Sequence, residues 1–142
     1  MTTRRRFLAI AGSAAAMASQ ACSAGVSPAS IGDVPAGNVA ALPVGTLRVV
    51  DSQAVCIGRD SRGVYAMTLT CTHQGCDMGQ QGSVSAQAIT CSCHGSVFDA
   101  NGNVVRGPAS VPLAHFAVSV DAAGALTIHG ETEVDPATRL PA

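Results

Sequence analysis

From residue 46 onward, short apolar runs alternate with turn signals, the pattern of a β domain. Leu47 to Val50 and Ala54 to Ile57 read as strands on either side of Asp51-Ser52-Gln53. Arg59 to Gly63 reads as a turn, and Val64 to Thr70 as the next strand. The two-residue period puts Tyr65, Met67 and Leu69 on one face of that strand, and Cys71 has the same parity. Asn101-Gly102 is a tight-turn dipeptide between Val97-Phe98 and Val104-Val105. Leu113 to Val120 and Ala125 to His129 read as two closing strands around Asp121 to Gly124. No capped helical period follows residue 21, and no internal repeat is evident. The expectation is an all-β domain.

The N-terminal pattern is different. Arg4-Arg5-Arg6 precedes the apolar run Phe7 to Ala21, as a positive region precedes the core of an export signal. The run is short of the ~20 residues that span a bilayer, so a retained membrane helix is not expected. Thr3-Arg4-Arg5-Arg6-Phe7-Leu8 resembles the twin-arginine export signal, with Ala9 in place of its usual Lys. Ser19-Gln20-Ala21 fits a small-x-small cleavage site, and Cys22 behind it opens lipid attachment as the alternative to plain cleavage. Residues 23–45 are rich in Gly, Ala, Ser and Pro and leave room for one short edge strand. The expected organisation is an export signal over 1–21, a linker over 22–42, one domain over 43–130 and a tail over 131–142.

Composition narrows the function. The chain has 142 residues, enough for one small domain, and only 12% are charged. There is no Lys; outside Arg4 to Arg6, five arginines face nine acids, a formal net charge of −4 over residues 22–142. No basic stripe is left for nucleic acid. Four of the six cysteines fall between Cys71 and Cys93. They lie in two boxes, Cys71-Thr72-His73-Gln74-Gly75-Cys76 and Cys91-Ser92-Cys93-His94-Gly95-Ser96. Read by ligand chemistry alone, two Cys and two His suit zinc or iron. Zinc fingers pair like ligands, whereas here each box supplies one Cys and one His. Such boxes can place both thiolates on one metal and both imidazoles on another, the ligand split of a Rieske-type [2Fe–2S] centre.

The boxes resemble those of the Rieske iron–sulfur family, in its disulfide-containing electron-transfer branch of cytochrome bc-type complexes and soluble relatives. That family's boxes read Cys-Thr-His-x-Gly-Cys and Cys-x-Cys-His-Gly-Ser, followed by a Gly-Pro loop that Gly107-Pro108 matches. The resemblance covers about residues 33–130 and implies stacked antiparallel sheets with a small cluster-binding subdomain at about 70–110. It implies a [2Fe–2S] cofactor with Cys71 and Cys91 on the inner iron and His73 and His94 on the outer, solvent-facing one. It also implies a disulfide between Cys76 and Cys93, and a Ser96 hydroxyl that donates to a bridging sulfide. Two ferric ions, two sulfides and two thiolates leave such a centre neutral, where four thiolates would leave it at −2. Rieske potentials accordingly lie at about −150 to +300 mV against about −400 mV for plant-type ferredoxins. Two positions depart from the family. Phe98 stands where high-potential members carry a Tyr that donates to a ligand sulfur, and Gln74 where quinol-oxidising members carry a Leu.

The functional expectation is an exported one-electron carrier or electron-transfer subunit in the periplasm or at the outer cell surface. It would pass electrons between a quinol or redox enzyme and a cytochrome, with no catalytic site of its own. Its partner would be a cytochrome or an oxidoreductase subunit, its only membrane link a lipid at Cys22. The alternative is the Rieske small subunit of a molybdenum oxidase such as arsenite oxidase. A Rieske oxygenase needs a further iron domain for which the chain has no room. Of the remaining residues, Cys56 reads as an inert buried thiol, Tyr65 and Met67 as core, His115 and His129 as solvent-facing strand positions, and Glu131 to Asp135 as a solvated tail.

Overall fold

The computed structural model describes residues 31–50 and 53–142. The export-signal expectation and Cys22 fall outside these residues. Ten strands follow in chain order: β1 (Asp33–Asn38), β2 (Thr46–Val50), β3 (Val55–Asp60), β4 (Gly63–Thr68), β5 (Gly82–Val84), β6 (Ala88–Cys91), β7 (Val97–Asp99), β8 (Val104–Arg106), β9 (His115–Val120) and β10 (Ala125–Val134). A single 3-10 turn, Val39–Ala41, follows β1. Among the described residues no helix is long and apolar enough to cross a membrane.

The strands form two antiparallel sheets, as expected. One has six strands in the order β1-β10-β9-β4-β3-β2, the other four in the order β5-β6-β7-β8. The six-stranded sheet curls so that its edges meet, because Arg48 on β2 donates to the Ala36 carbonyl on β1 at 2.8 Å. Every residue of β4 is buried. Its two faces serve different cores, by the two-residue period of a strand covered on both sides. Val64 and Ala66 join Val55, Ile57, Phe116, Leu126 and Ile128 in one core. Tyr65 and Met67 join Cys56, Met78, Ile89, Phe98 and Leu113 in the second, which lies under Cys71 and Cys91. Gly58 sits opposite Tyr65 in the β3–β4 ladder. A Cβ there would come within 2.5 Å of the Tyr65 ring, so only glycine lets the ring lie across β3.

Three features depart from the sequence reading. The hairpin β5–β6 was not anticipated, because its short strands carry Ser83, Thr90 and small residues rather than a readable apolar alternation. The acidic run is exposed, but it is strand and not tail: β10 continues through it to Val134, with a register shift between His129 and Glu133. Beyond it, Leu140 exchanges both backbone hydrogen bonds with Val64 at 2.8 Å and packs on the first core. His115 is the third correction. It is 1% exposed, because it opens β9 at the end of the strand where residues of both faces, His115 and Phe116, are buried. Its Nε2 lies 3.0 Å from the Asn101 carbonyl, which can only accept, so the proton belongs on Nε2.

Burial pushes the His115 pKa below the ordinary histidine value of 6.5. A depressed folded pKa means stability that is present above the unfolded value and lost as pH falls below it. His115→Gln is expected to lose less melting temperature than the wild type between pH 7.5 and pH 5, measured by thermal denaturation. An equal loss would mean that His115 takes up its proton within the fold.

A strut joins the two sheets. The Tyr65 hydroxyl donates to the Ala100 carbonyl at 2.9 Å, and the Arg139 guanidinium lies 4.1 Å from the Tyr65 ring centroid. Arg139 also donates to Asp60 at 2.8 Å and to Asn101 Oδ1 at 2.6 Å. Slight desolvation would raise the Asp60 pKa, but hydrogen bonds from Arg139 and from the backbone and side chain of Arg62 outweigh it and hold the carboxyl at about 2. Cys56 is the inert thiol expected: burial pushes it up to about 12, and its Sγ faces the Met67 carbonyl at 3.7 Å.

Candidate metal centre

The two boxes fold into loops with the same backbone frame. In the first, the Cys71 N–H donates to the Cys76 carbonyl and the Gly75 N–H back to the Cys71 carbonyl, both at 2.8 Å. In the second, the Cys91 N–H donates to the Ser96 carbonyl at 2.9 Å and the Gly95 N–H to the Cys91 carbonyl at 3.0 Å. Each loop therefore closes in six residues with glycine fifth. Gly75 and Gly95 have φ of 76° and 80°, a conformation that L side chains rarely adopt. This repeat is not evident in the sequence. The histidines hide it, because His73 is third in its loop and His94 is fourth.

The frame sorts the side chains by depth. Cys71 and Cys91, first in each loop, are free and buried at 3% and 1% exposure, on the roof of the second core. His73 is half-buried and His94 exposed. Their rings lie 4.8 Å apart between centroids in an edge-on arrangement. Cys76 and Cys93 are joined in a disulfide that ties the loops together. The structure thus brings all six expected site residues and Ser96 to one tip of the molecule.

A third loop supports both boxes. It follows β8 and contains the cis Gly107-Pro108 bond. Thr72 Oγ1 of the first box donates to the Val111 carbonyl at 2.6 Å. The Ala109 N–H donates to Ser96 Oγ of the second at 3.0 Å. Ser96 is fully buried, and with its oxygen accepting from Ala109 its hydroxyl hydrogen is left to donate, which favours the ionised form of the nearby Cys71 thiol. Arg106 Nε holds the Gly95 carbonyl at 3.2 Å. Sequence reasoning missed Thr72, Ala109 and Arg106, since each takes part in a hydrogen bond between a side chain and the backbone of a separate segment. Gln74, where a shielding Leu would stand, is exposed.

Two adjacent loops presenting two buried thiols inside and two imidazoles outside define a carrier of an iron–sulfur centre with mixed ligation. The Rieske [2Fe-2S] domain family matches residues 30–117, and the chain belongs to that family. It is 45% identical over 64 residues to the cytochrome b6-f complex iron-sulfur subunit of Synechococcus sp. (strain RCC307), covering 45% of this chain and 35% of that protein. The subunit of the same name from Synechococcus elongatus is 46% identical over 61 residues, covering 42% of this chain and 33% of that protein. The chain thus matches about a third of the length of these relatives. Among solved structures, the cyanobacterial plasma membrane Rieske protein PetC3 from Synechocystis PCC 6803 is 29% identical with a TM-score of 0.51, covering 67% of this chain and 97% of that one. A chain of the complex of reduced oxygenase and oxidized ferredoxin in carbazole 1,9a-dioxygenase is 26% identical with a TM-score of 0.52, covering 72% and 97%.

The residues present fit a [2Fe–2S] cluster. His73 Nδ1 is buried without a hydrogen-bond partner, a costly state that bonding to a metal would relieve. Burial pushes the Cys71 thiol up, and the adjacent Cys91 thiol adds to the rise, while Ser96 and the His73 backbone oppose it. A buried thiol of this kind ionises only beside a positive charge, and an iron ion supplies the charge that deprotonates a coordinating thiol. Cys76 and Cys93 have given their sulfurs to each other, so Cys71, Cys91, His73 and His94 are the residues that would hold the cluster.

Hydrogen bonds to ligand sulfurs help set iron–sulfur potentials. Phe98 is fully buried and carries no donor. A bond to a charged group is worth about 1.5–3 kcal/mol. Its difference between redox states is smaller, on the order of 1 kcal/mol, or some tens of millivolts for one electron. Phe98→Tyr is expected to raise the midpoint potential by that amount and Ser96→Ala to lower it, by voltammetry at one pH. An unchanged potential in Phe98→Tyr with the cluster intact would place the ring away from the Cys71 sulfur.

Proposed function

We propose that this Rieske electron-transfer protein is an exported one-electron carrier or subunit that takes electrons from a quinol or a redox enzyme and gives them to a cytochrome. The single observation carrying the reading is the depth order at the tip, with Cys71 and Cys91 closed off by the second core and His94 exposed. A bound [2Fe–2S] cluster supplies reversible uptake of one electron. His94 would offer the path to a partner at the surface, while the core under Cys71 and Cys91 keeps water from the inner side. Arg106, the sole basic residue between Arg62 and Arg139, stands beside that path on the Gly95 carbonyl.

Two further observations support export. The Cys76–Cys93 disulfide suits an oxidising compartment, and residues 3–8 resemble the twin-arginine signal. The relatives named as cytochrome b6-f subunits support a cytochrome as acceptor, and favour this reading over the small subunit of a molybdenum oxidase.

Stopped-flow mixing of the reduced, cluster-loaded chain with an oxidised c-type cytochrome tests the reading. The cytochrome should be reduced far faster than by free dithionite-derived background, and the rate should fall in His94→Ala or its cluster should be lost. No transfer above background would remove the cytochrome from the proposal. Export is tested separately by following the full chain with Arg4 and Arg5 both changed to Lys. The variant should stay in the cytoplasm; normal export would refute the twin-arginine route.

A further inference from the structure

The sulfurs of the two loops form one group. The Sγ atoms of Cys76, Cys91 and Cys93 all lie within 4.8 Å of one another. The Cys71 thiol interacts with that of Cys91. Two of the four sulfurs are bonded, Cys76 to Cys93, and the other two are free thiols. A thiol beside a disulfide is the arrangement from which exchange proceeds: a thiolate attacks one sulfur of the bond, and the other departs as a thiolate.

We propose that the chain without its cluster rearranges its own disulfide, moving the linkage from Cys76–Cys93 to Cys71–Cys91. In the first step the Cys91 sulfur attacks that of Cys76. The Cys91–Cys76 bond forms and the Cys76–Cys93 bond breaks. Cys93 leaves as a thiolate and takes up the proton that Cys91 gave up. In the second step the Cys71 sulfur attacks that of Cys91. The Cys71–Cys91 bond forms, the Cys76–Cys91 bond breaks, and Cys76 leaves with the proton from Cys71. One disulfide and two thiols stand on each side, so no oxidant is required. Attack falls on Cys76 because Cys91 and Cys93 are separated by a single residue, and a bond between them would close a small strained ring.

The exchange changes which sulfurs solvent meets. Cys71 and Cys91 are buried at 3% and 1% exposure, whereas Cys76 and Cys93 are half-buried. The new bond would be shielded from external thiols, and the released pair would face solvent. On the reading that Cys71 and Cys91 are the inner ligands, the product cannot take up a cluster until the exchange is reversed. Cluster occupancy then guards the disulfide, because ligated sulfurs cannot attack it. Cluster loss closes the site without any change in redox state.

The test uses the full chain. The cluster is stripped with an iron chelator under argon, and the protein is desalted to remove released sulfide. It is then held in native buffer. Samples are quenched in acid, labelled with N-ethylmaleimide in denaturant and cleaved beside Asp77. Tandem mass spectrometry locates the adducts. The expected result is that adducts on Cys71 and Cys91 give way to adducts on Cys76 and Cys93, with no change in unlabelled intact mass. Cys71→Ser should stop at the Cys76–Cys91 bond with Cys93 labelled. Adducts that stay on Cys71 and Cys91 over a day would overturn the proposal. So would a Cys71–Cys91 bond formed with loss of two hydrogens while Cys76–Cys93 persists, since that is oxidation. In cluster-loaded protein kept alongside, the linkage should not move. Movement there would count against the ligand reading and leave the exchange itself standing.

Discussion

Changing His73 or His94 to alanine is expected to leave the protein without iron or acid-labile sulfide. The two positions reach that outcome differently. His73 is half-buried, with an Nδ1 that has no hydrogen-bond partner, so the ring is poorly satisfied without a metal. His94 is exposed, and its loss removes a donor without opening the core. The loop frames rest on backbone bonds that neither change touches. Metal binding contributes on the order of 10 kcal/mol in small metal sites, so removing one of four ligands costs most of the occupancy. Iron and sulfide assays, with far-UV circular dichroism as the check on folding, should show a folded apoprotein in each case. Gln74→Ala, exposed in the same loop, should keep two irons and two sulfides per chain. Full iron in both histidine variants would refute the donor set, and zinc without sulfide in the wild type would refute the cluster.

The second large effect concerns the disulfide. Cys76 and Cys93 are separated by 17 residues. In the chain-entropy model a loop of that size gives about 3 kcal/mol, a substantial part of a small domain's stability. Cys76→Ser should lower the urea midpoint of freshly stripped protein, compared before any disulfide exchange, accordingly. It should also shorten the lifetime of the bound cluster on heating, without preventing insertion. The third loop explains why insertion survives, since Thr72 and Ser96 each tie one box to the segment after β8. A variant with unchanged midpoint and cluster lifetime would show that the loops are held by those hydrogen bonds alone.

The boxes were legible because each packs its chemistry into six consecutive residues. Their common frame was not, since the two loops share only cysteine first and glycine fifth. Strands β3 and β4 were legible because they are apolar and β-branched at the core positions. The β5–β6 hairpin was hidden by its small and polar residues, and its pairing is set by closure of the cluster subdomain. His115 was misplaced for a different reason. Alternation marks one buried face and one wet face, yet β9 is buried on both faces where it begins, at His115 and Phe116, and exposed only at its far end. A histidine there is tolerable once the Asn101 carbonyl accepts a hydrogen bond from its Nε2–H, a contact fourteen residues away in sequence. The segment 131–142 was read from its charge, while Val134 and Leu140 decided where it went.

The triple bracing of the tip bears on how fast an electron could move through it. Transfer is slowed by whatever must shift when charge arrives, the reorganisation energy. Here the backbone carbonyls of Gly95 and Val111 and the amide of Ala109 are already engaged, and the two boxes are clamped by a covalent bond. Dipoles held in place in advance need not turn when the charge changes. What remains free to respond is mainly water around His94. A partner that seats against that ring and expels the water would remove much of what is left, so docking itself would act as the accelerator.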